Sequence, residues 1–267
     1  MRLAGTLRAL PAMLRVGFAD AVAYRAELLV WVLSTTMPLI MLALWSAVAR
    51  DGPLGRFGQA EFTAYFLATF VVRQITGSWI SWQMNYEIRR GTLSMRLLRP
   101  VHPLVAYAVE SVGVLPLRIV VSLPVAAIVL AVVGSGMLPR GAGMWALCGA
   151  ALAGSWLLTF LVSFGIGSLA FYLESSVKVM EIWLALFFVF SGYLIPIELF
   201  PPALRVVADA LPFRYQIGLP VELLTSAHGW PEALALVGRQ WLFVAGAAAA
   251  ALLVWRGGVR RFGAFGG

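Results

Sequence analysis

Apolar and polar positions alternate along this chain on two scales. On the long scale, residues 28–49, 119–139, 141–173, 182–197 and 240–255 carry no charge, and residues 62–86 are interrupted only by Arg73. A helix rises about 1.5 Å per residue and needs about 20 residues to cross a hydrocarbon layer of roughly 30 Å. With the two short runs extended by their neighbours, the pattern predicts an all-α polytopic membrane protein with six transmembrane helices, at 28–49, 62–84, 114–134, 144–172, 177–195 and 234–256. On the short scale, Leu3, Leu7, Leu10, Leu14 and Phe18 recur at steps of three and four, with Arg8 and Arg15 off the stripe. That spacing predicts an amphipathic interfacial helix over 1–27, lying in the headgroup layer. Pro11 is expected to kink or split it.

Between 196 and 230 the texture changes, and Pro196, Pro201, Pro202, Pro212 and Pro220 cut the chain into segments too short to cross. They are expected to be short re-entrant helices in the outer leaflet, between the fifth and sixth crossings. Non-helical backbone at that depth is tolerated only under protein cover. In the fourth crossing Gly149, Ala153, Gly154, Gly165 and Gly167 offer a small-residue face for close helix packing. No fixed-period repeat, low-complexity tract or separate soluble domain interrupts the pattern.

Composition agrees with a membrane location. Of the 267 residues 61% are hydrophobic and 12% charged, against about 45–50% and 25% in soluble domains. The excess of 20 Lys and Arg over 12 Asp and Glu follows topology. Cations cluster before the first crossing, between the second and third, between the fourth and fifth and after the sixth. The positive-inside rule therefore puts both termini and the 85–100 segment in the cytoplasm, and the chain as a multi-pass protein in the cell inner (plasma) membrane. No nucleic acid partner is expected. Arginines at 2, 8, 15 and 25 leave no uninterrupted apolar core for a cleavable signal peptide. Cys148, the single cysteine, reads as a small packing residue.

Candidate chemistry is sparse. The single lysine, Lys178, has no glycine-rich loop before it, which excludes a P-loop. The histidines, His102 and His228, fall on opposite sides of the expected topology, and carboxylates are scattered singly. No catalytic residue, metal site or bound cofactor is assigned to this chain, so ATP and Mg²⁺ are expected on a partner subunit.

Two features remain. The first is "NYEIRRGTLSMRLLRP", residues 85–100, where the second helix should run to about Arg90 and Gly91 permits a sharp turn. Thr92 is the expected N-cap of a short helix carrying Leu93, Met95, Leu97 and Leu98, stopped by Arg99 and Pro100. This helix either floats on the lipid or plugs into a groove on a cytosolic partner. The second is Arg73, about 16 Å deep by helical rise. An arginine there costs about 2.5–3.5 kcal/mol on insertion scales, so it must face protein or water. It is either bonded to carbonyls or to a carboxylate such as Glu110 or Glu181, or it contacts an anionic headgroup or substrate. Arg118 and Arg239 lie near helix ends and can snorkel.

The stretch "EIRRGTLSMRLLRPVHPL" at 87–104 resembles the signature of ABC-2 type permeases that pair with a separate ATP-binding subunit. "AYRAELLVWVLSTTMPLIMLALW" and "VVRQITGSWISWQM" resemble the first two crossings of that subgroup, and "SGYLIPIELFPPALRVVADALPFRY" resembles its short outer helices. The resemblance implies one ABC-2 type transmembrane domain over 1–267, with a cytoplasmic coupling helix at 87–100 and short outer helices at 196–230. It implies an ATPase-coupling element of Glu87, Ile88, Arg89, Arg90, Gly91, Leu93, Ser94, Leu97, Leu98, Arg99 and Pro100. A translocation path or interface would include Arg73, Gln74 and Trp79, and an outer gate Ser191, Gly192, Tyr193, Pro196, Pro212 and Phe213. The implied partners are two copies of an ABC ATP-binding subunit, a second permease chain, identical or homologous, and membrane lipid. The implied function is the permease subunit of an ATP-driven exporter of an amphiphilic or lipid-like substrate. The alternatives are a nucleotide-independent channel or scaffold, and a membrane-embedded enzyme.

Overall fold

The computed structural model describes residues 3–23, 35–133, 139, 141–225 and 228–263. The expected first crossing therefore lies partly outside the described residues. In chain order the α-helices are α1 (Leu3–Ala23), α2 (Met37–Val48), α3 (Gln59–Thr76), α4 (Ile80–Arg89), α5 (Leu93–Leu97) and α6 (Pro103–Gly113). They continue with α7 (Leu115–Val133), α8 (Ala142–Ser168), α9 (Val177–Phe190), α10 (Pro202–Ala210), α11 (Gly218–Leu224) and α12 (Trp230–Val259). Among the described residues there is no strand, and the only β pairing is an isolated bridge between Leu54 and Phe57. Among the described residues three helical segments are long and apolar enough to cross a membrane, Pro103–Val125, Ala142–Phe171 and Trp230–Val259.

Helix α8 is the central post, packed against α3, α4, α9, α11 and α12. Its 27 residues contain no charge, and its small residues admit neighbours closely. An added Cβ on Gly165 would stand 3.4 Å from Ala251 of α12, and one on Gly167 2.9 Å from Met84 of α4. Gly154 faces Gln240 of α12, whose amide Nε2 donates to the carbonyls of Ala151 at 2.9 Å and Tyr215 at 2.8 Å and lies 3.0 Å from Ser155 Oγ. A buried amide needs such partners in an apolar bundle, and Gly154 is what leaves room for it. Gly149, also counted in the packing face, meets nothing within 4 Å.

The apolar run 62–84 is not one helix. α3 ends at Thr76, residues 77–79 are extended or irregular, and α4 starts at Ile80. The break exposes the Gly77 carbonyl, and Arg118 of α7 donates to it at 2.7 Å. Arg118 is thus buried inside the protein and does not snorkel outward. The apolar helical segment over the expected third crossing begins at Pro103, and Val114 separates α6 from α7 within it. Pro11 lies inside α1 without dividing it. The stripe residues Leu14 and Phe18 are exposed, and the contact of α1 with α6 runs instead through Gly17, whose added Cβ would stand 3.7 Å from the Cα of Gly113.

Two apolar centres result. One gathers Met84, Leu93, Tyr107, Phe164 and Trp255 around α4, α6, α8 and α12. The other gathers Phe62, Tyr65, Phe66, Tyr193 and Phe213 around α3.

Candidate functional site

The 85–100 segment folds as its residues dictate, with one exception. Gly91 takes φ +74, the left-handed turn that its lack of a side chain allows. Thr92, however, has helical backbone angles and no capping side chain; its hydroxyl donates to the Glu87 carbonyl at 3.4 Å. Ser94 instead closes the turn, donating to the Gly91 carbonyl at 2.7 Å.

What fixes α5 in place is Arg96, which the sequence reading left out of the element. Its Nε and Nη2 donate to Glu87 at 2.7 and 2.8 Å, and its Nη1 and Nη2 donate to Glu110 of α6 at 2.5 and 3.1 Å. The Tyr107 hydroxyl donates to Glu87 at 2.6 Å, Gln83 bonds both carboxylates, and the guanidinium lies 4.3 Å from the Tyr107 ring centroid. Burial alone would lower the Arg96 pKa, but the hydrogen bonds to Glu87 and Glu110 raise it above its ordinary value, so the group stays charged. The clasp ties α5 to α4 and α6. The partners lie nine and 14 residues from Arg96 across a turn and a helix, beyond any i,i+4 pattern.

The other coupling candidates divide by direction. Leu93 is fully buried at 0% exposure and Ile88 is buried, while Leu97 packs against the core. Met95 and Leu98, at 66% and 82% exposure, form the outward apolar face, and Met95 was not among the residues assigned. Arg89 donates to the Leu173 carbonyl, and Arg90 lies over the Tyr86 ring. Arg99 and Pro100 are exposed. Arg99, Met95 and the clasp line a groove of about 760 Å³ whose opposite wall is α1 at Ala12, Met13, Val16 and Gly17.

A second site surrounds Arg73. A cavity of about 170 Å³ lies between the break after α3, helix α8 and helix α9, lined by Arg73, Trp79, Trp82, Thr159, Ser163, Trp183, Phe187 and Gln216 among others. The Arg73 guanidinium lies 5.3 Å from the Phe187 ring centroid, with the Tyr193 hydroxyl as its polar neighbour. Neither carboxylate considered as its partner serves, because Glu110 is taken by Arg96 and Glu181 is exposed. Of the three path candidates Arg73 and Trp79 line the cavity, while Gln74 stands behind the lining and donates to Oγ1 of the lining residue Thr35 at 3.0 Å. Thr159, Ser163 and Gln216 went unnoticed in the sequence because isolated polar residues in apolar helices carry no motif.

None of the residues assigned to an outer gate lines this cavity, but Tyr193 packs against its lining residues Phe187 and Phe188, and Phe213 against Trp183. Gly192 has φ +82 and accepts a hydrogen bond from Tyr65 at 2.8 Å; Ser191 Oγ accepts from the Tyr193 amide at 3.2 Å. The Phe213 ring lies 4.5 Å from that of Trp183, tilted by 50°, Pro196 is buried, and Pro212 is half-buried.

Behind them, scattered acids converge. Glu222 of α11 accepts from Arg214 at 2.6 Å and lies 2.7 Å from His228, which also lies 2.9 Å from Glu232; Arg214 additionally bonds Asp209. Burial opposes charging of both groups, but the hydrogen bonds with His228 and Arg214 hold the Glu222 carboxyl below its ordinary range, and those with Glu222 and Glu232 hold His228 above its own. The raised imidazole contributes stability that is complete below its ordinary pKa of about 6.5 and is lost as pH rises through the folded value. Glu222 contributes in the other sense, losing its share only as pH falls below the usual carboxylate range. His102, whose pKa burial lowers, pulls the other way only below about 6.5. The melting-temperature advantage of the wild type over His228→Gln should therefore shrink as pH rises from about 6.5 through the folded value of His228, and an advantage independent of pH would remove His228 from this role.

Among curated proteins none matches the chain. A family model described as "ABC-2 family transporter protein" matches residues 26–266, which include α2 to α12, the 85–100 element with its clasp, the Arg73 cavity and the Glu222 cluster. With nearly its whole length so matched, the chain belongs to the ABC-2 transporter family.

Proposed function

We propose that this chain is the permease subunit of an ATP-driven exporter in the plasma membrane, with six crossings, both termini in the cytoplasm, and an amphiphilic or lipid-like substrate. Family membership makes it a membrane transport component, and ABC-2 permeases work with ATP-binding subunits. Two copies of such a subunit, carrying ATP and Mg²⁺, would act on two permease chains. The 1–267 chain is then one transmembrane domain, and residues 87–100 are its coupling element. The outer gate comprises Ser191, Gly192, Tyr193, Pro196, Pro212 and Phe213.

The observation that carries this reading is the rigid mounting of an outward apolar face. Met95 and Leu98 project from a five-residue helix too short to be stable alone, and the Arg96 clasp fixes that helix to α4 and α6. A face so mounted transmits a push from a docked partner into the helices behind it. A helix that merely floated on lipid would need no such anchorage.

Met95→Asp combined with Leu98→Asp tests this. Both side chains are exposed, so the melting temperature should stay within a few degrees of wild type. Co-purification of the ATP-binding subunit in mild detergent should fall at least tenfold, since charges at a desolvated apolar contact cost several kcal/mol. Leu97 is a poor choice because it packs against the core. Undiminished co-purification would defeat the reading.

A further inference from the structure

The cavity at Arg73 has a chemistry of its own. Among the described residues no Asp or Glu lines it, and a second arginine, Arg118, lies within electrostatic reach of Arg73. Three further lining residues have buried polar atoms without a hydrogen-bond partner: the hydroxyls of Thr159 and Ser163 and the amide nitrogen of Gln216. Their residues are 9%, 0% and 1% exposed. Buried polar groups in an apolar bundle are destabilising until something bonds them. The three atoms are themselves screened from the cavity, but each side chain can donate once it turns toward a bound head, and an anion is the acceptor that also offsets the guanidinium charge. A cation is repelled here, and a neutral head leaves the charge unanswered.

The walls decide what is attached to that anion. Trp79, Trp82, Trp183, Leu184, Phe187 and Phe188 are apolar, so a fully hydrated small ion gains nothing from them. At about 170 Å³ the cavity takes a head and its first few methylenes but no complete lipid. Trp79 and Phe188 line it and are also exposed at the surface, which gives a hydrocarbon tail its exit.

We propose that this cavity binds the anionic head of a single-chain amphiphile, a carboxylate or phosphate monoester held by Arg73, Thr159, Ser163 and Gln216, with its tail leaving between Trp79 and Phe188. The inference rests on the permease reading only in making this molecule the cargo; binding itself requires no partner.

The test uses the full chain in a maltoside detergent and the quenching of Trp79, Trp82 and Trp183 by 9,10-dibromostearate, with the dibrominated alcohol of equal length as the neutral control. The carboxylate should quench saturably, and Arg73→Gln should weaken its apparent affinity at least tenfold while leaving the weak quenching by the alcohol unchanged. Arg73→Lys should retain an intermediate affinity. Should Arg73→Gln fail to fold, Thr159→Val with Ser163→Ala is expected to lower carboxylate affinity several-fold without affecting the alcohol. Equal quenching by acid and alcohol, or affinity unchanged in the variants, overturns the proposal. So does competition by millimolar inorganic phosphate, which would make the site one for free anions. Met95→Asp with Leu98→Asp should leave this binding intact, so failure of the coupling reading and failure of this one are separable.

Discussion

Arg96→Met should destabilise the protein by about 3–5 kcal/mol, the usual cost of stranding a buried charge by removing its partner. The Glu87 side chain is 13% exposed, so its carboxylate would keep the hydrogen bonds from Tyr107 and Gln83 but face Glu110 with no cation between them. Glu110, at 40% exposure, is better solvated and carries less of the loss. Two effects should appear together: a lower melting temperature in detergent, and weaker association with the ATP-binding subunit, because α5 is no longer held against α4 and α6. Glu87→Gln in the Arg96→Met background should restore part of the stability, since a neutral amide tolerates burial better than an unpaired carboxylate. Its effect on association should be smaller, because the anchorage of α5 stays broken. A wild-type melt for Arg96→Met would show that the clasp holds nothing.

The second large effect is expected at Gly192. A side chain at φ +82 costs roughly 1–2 kcal/mol in backbone strain. An alanine Cβ there would also stand 2.5 Å from the Tyr65 hydroxyl. Tyr65 must then move and give up its bond to the Gly192 carbonyl, about 1 kcal/mol more. Gly192→Ala should thus lose on the order of 3 kcal/mol. Adding Tyr65→Phe removes the colliding oxygen and should return the steric share while the backbone strain remains. Recovery to the full wild-type melting temperature in that double variant would mean the left-handed backbone is unimportant.

The comparison of sequence with structure sorts by the range of the interaction. The Gly91 turn was legible, because a glycine between a basic helix end and a short apolar segment is a local signal. The apolar runs around α8 and α12 were legible as well, since length and absence of charge decide them. Helix α1 was half legible: the stripe predicted a helix within 1–27 and Leu3–Ala23 is helical, but its docking runs through Gly17 and Gly113, two glycines 96 positions apart that no periodicity links. The break after Thr76 carries no proline; its local mark is the weak breaker Gly77-Ser78 inside an apolar run, and the Gly77 carbonyl finds its partner only on α7. Arg96, Thr159, Ser163 and Gln216 were missed for the same reason. Each acquires its meaning from groups that only the fold brings near.

The interruption at residues 77–79 has a mechanical consequence. No helical ladder continues from α3 into α4, so axial thrust delivered to α4 is not relayed along a single rod. It must pass through the side chains surrounding the gap, and Arg73 above it and Trp79 within it are both walls of the same chamber. Sliding of the lower rod against the upper one therefore changes the width of the compartment directly, as a piston in two pieces alters the space at its joint.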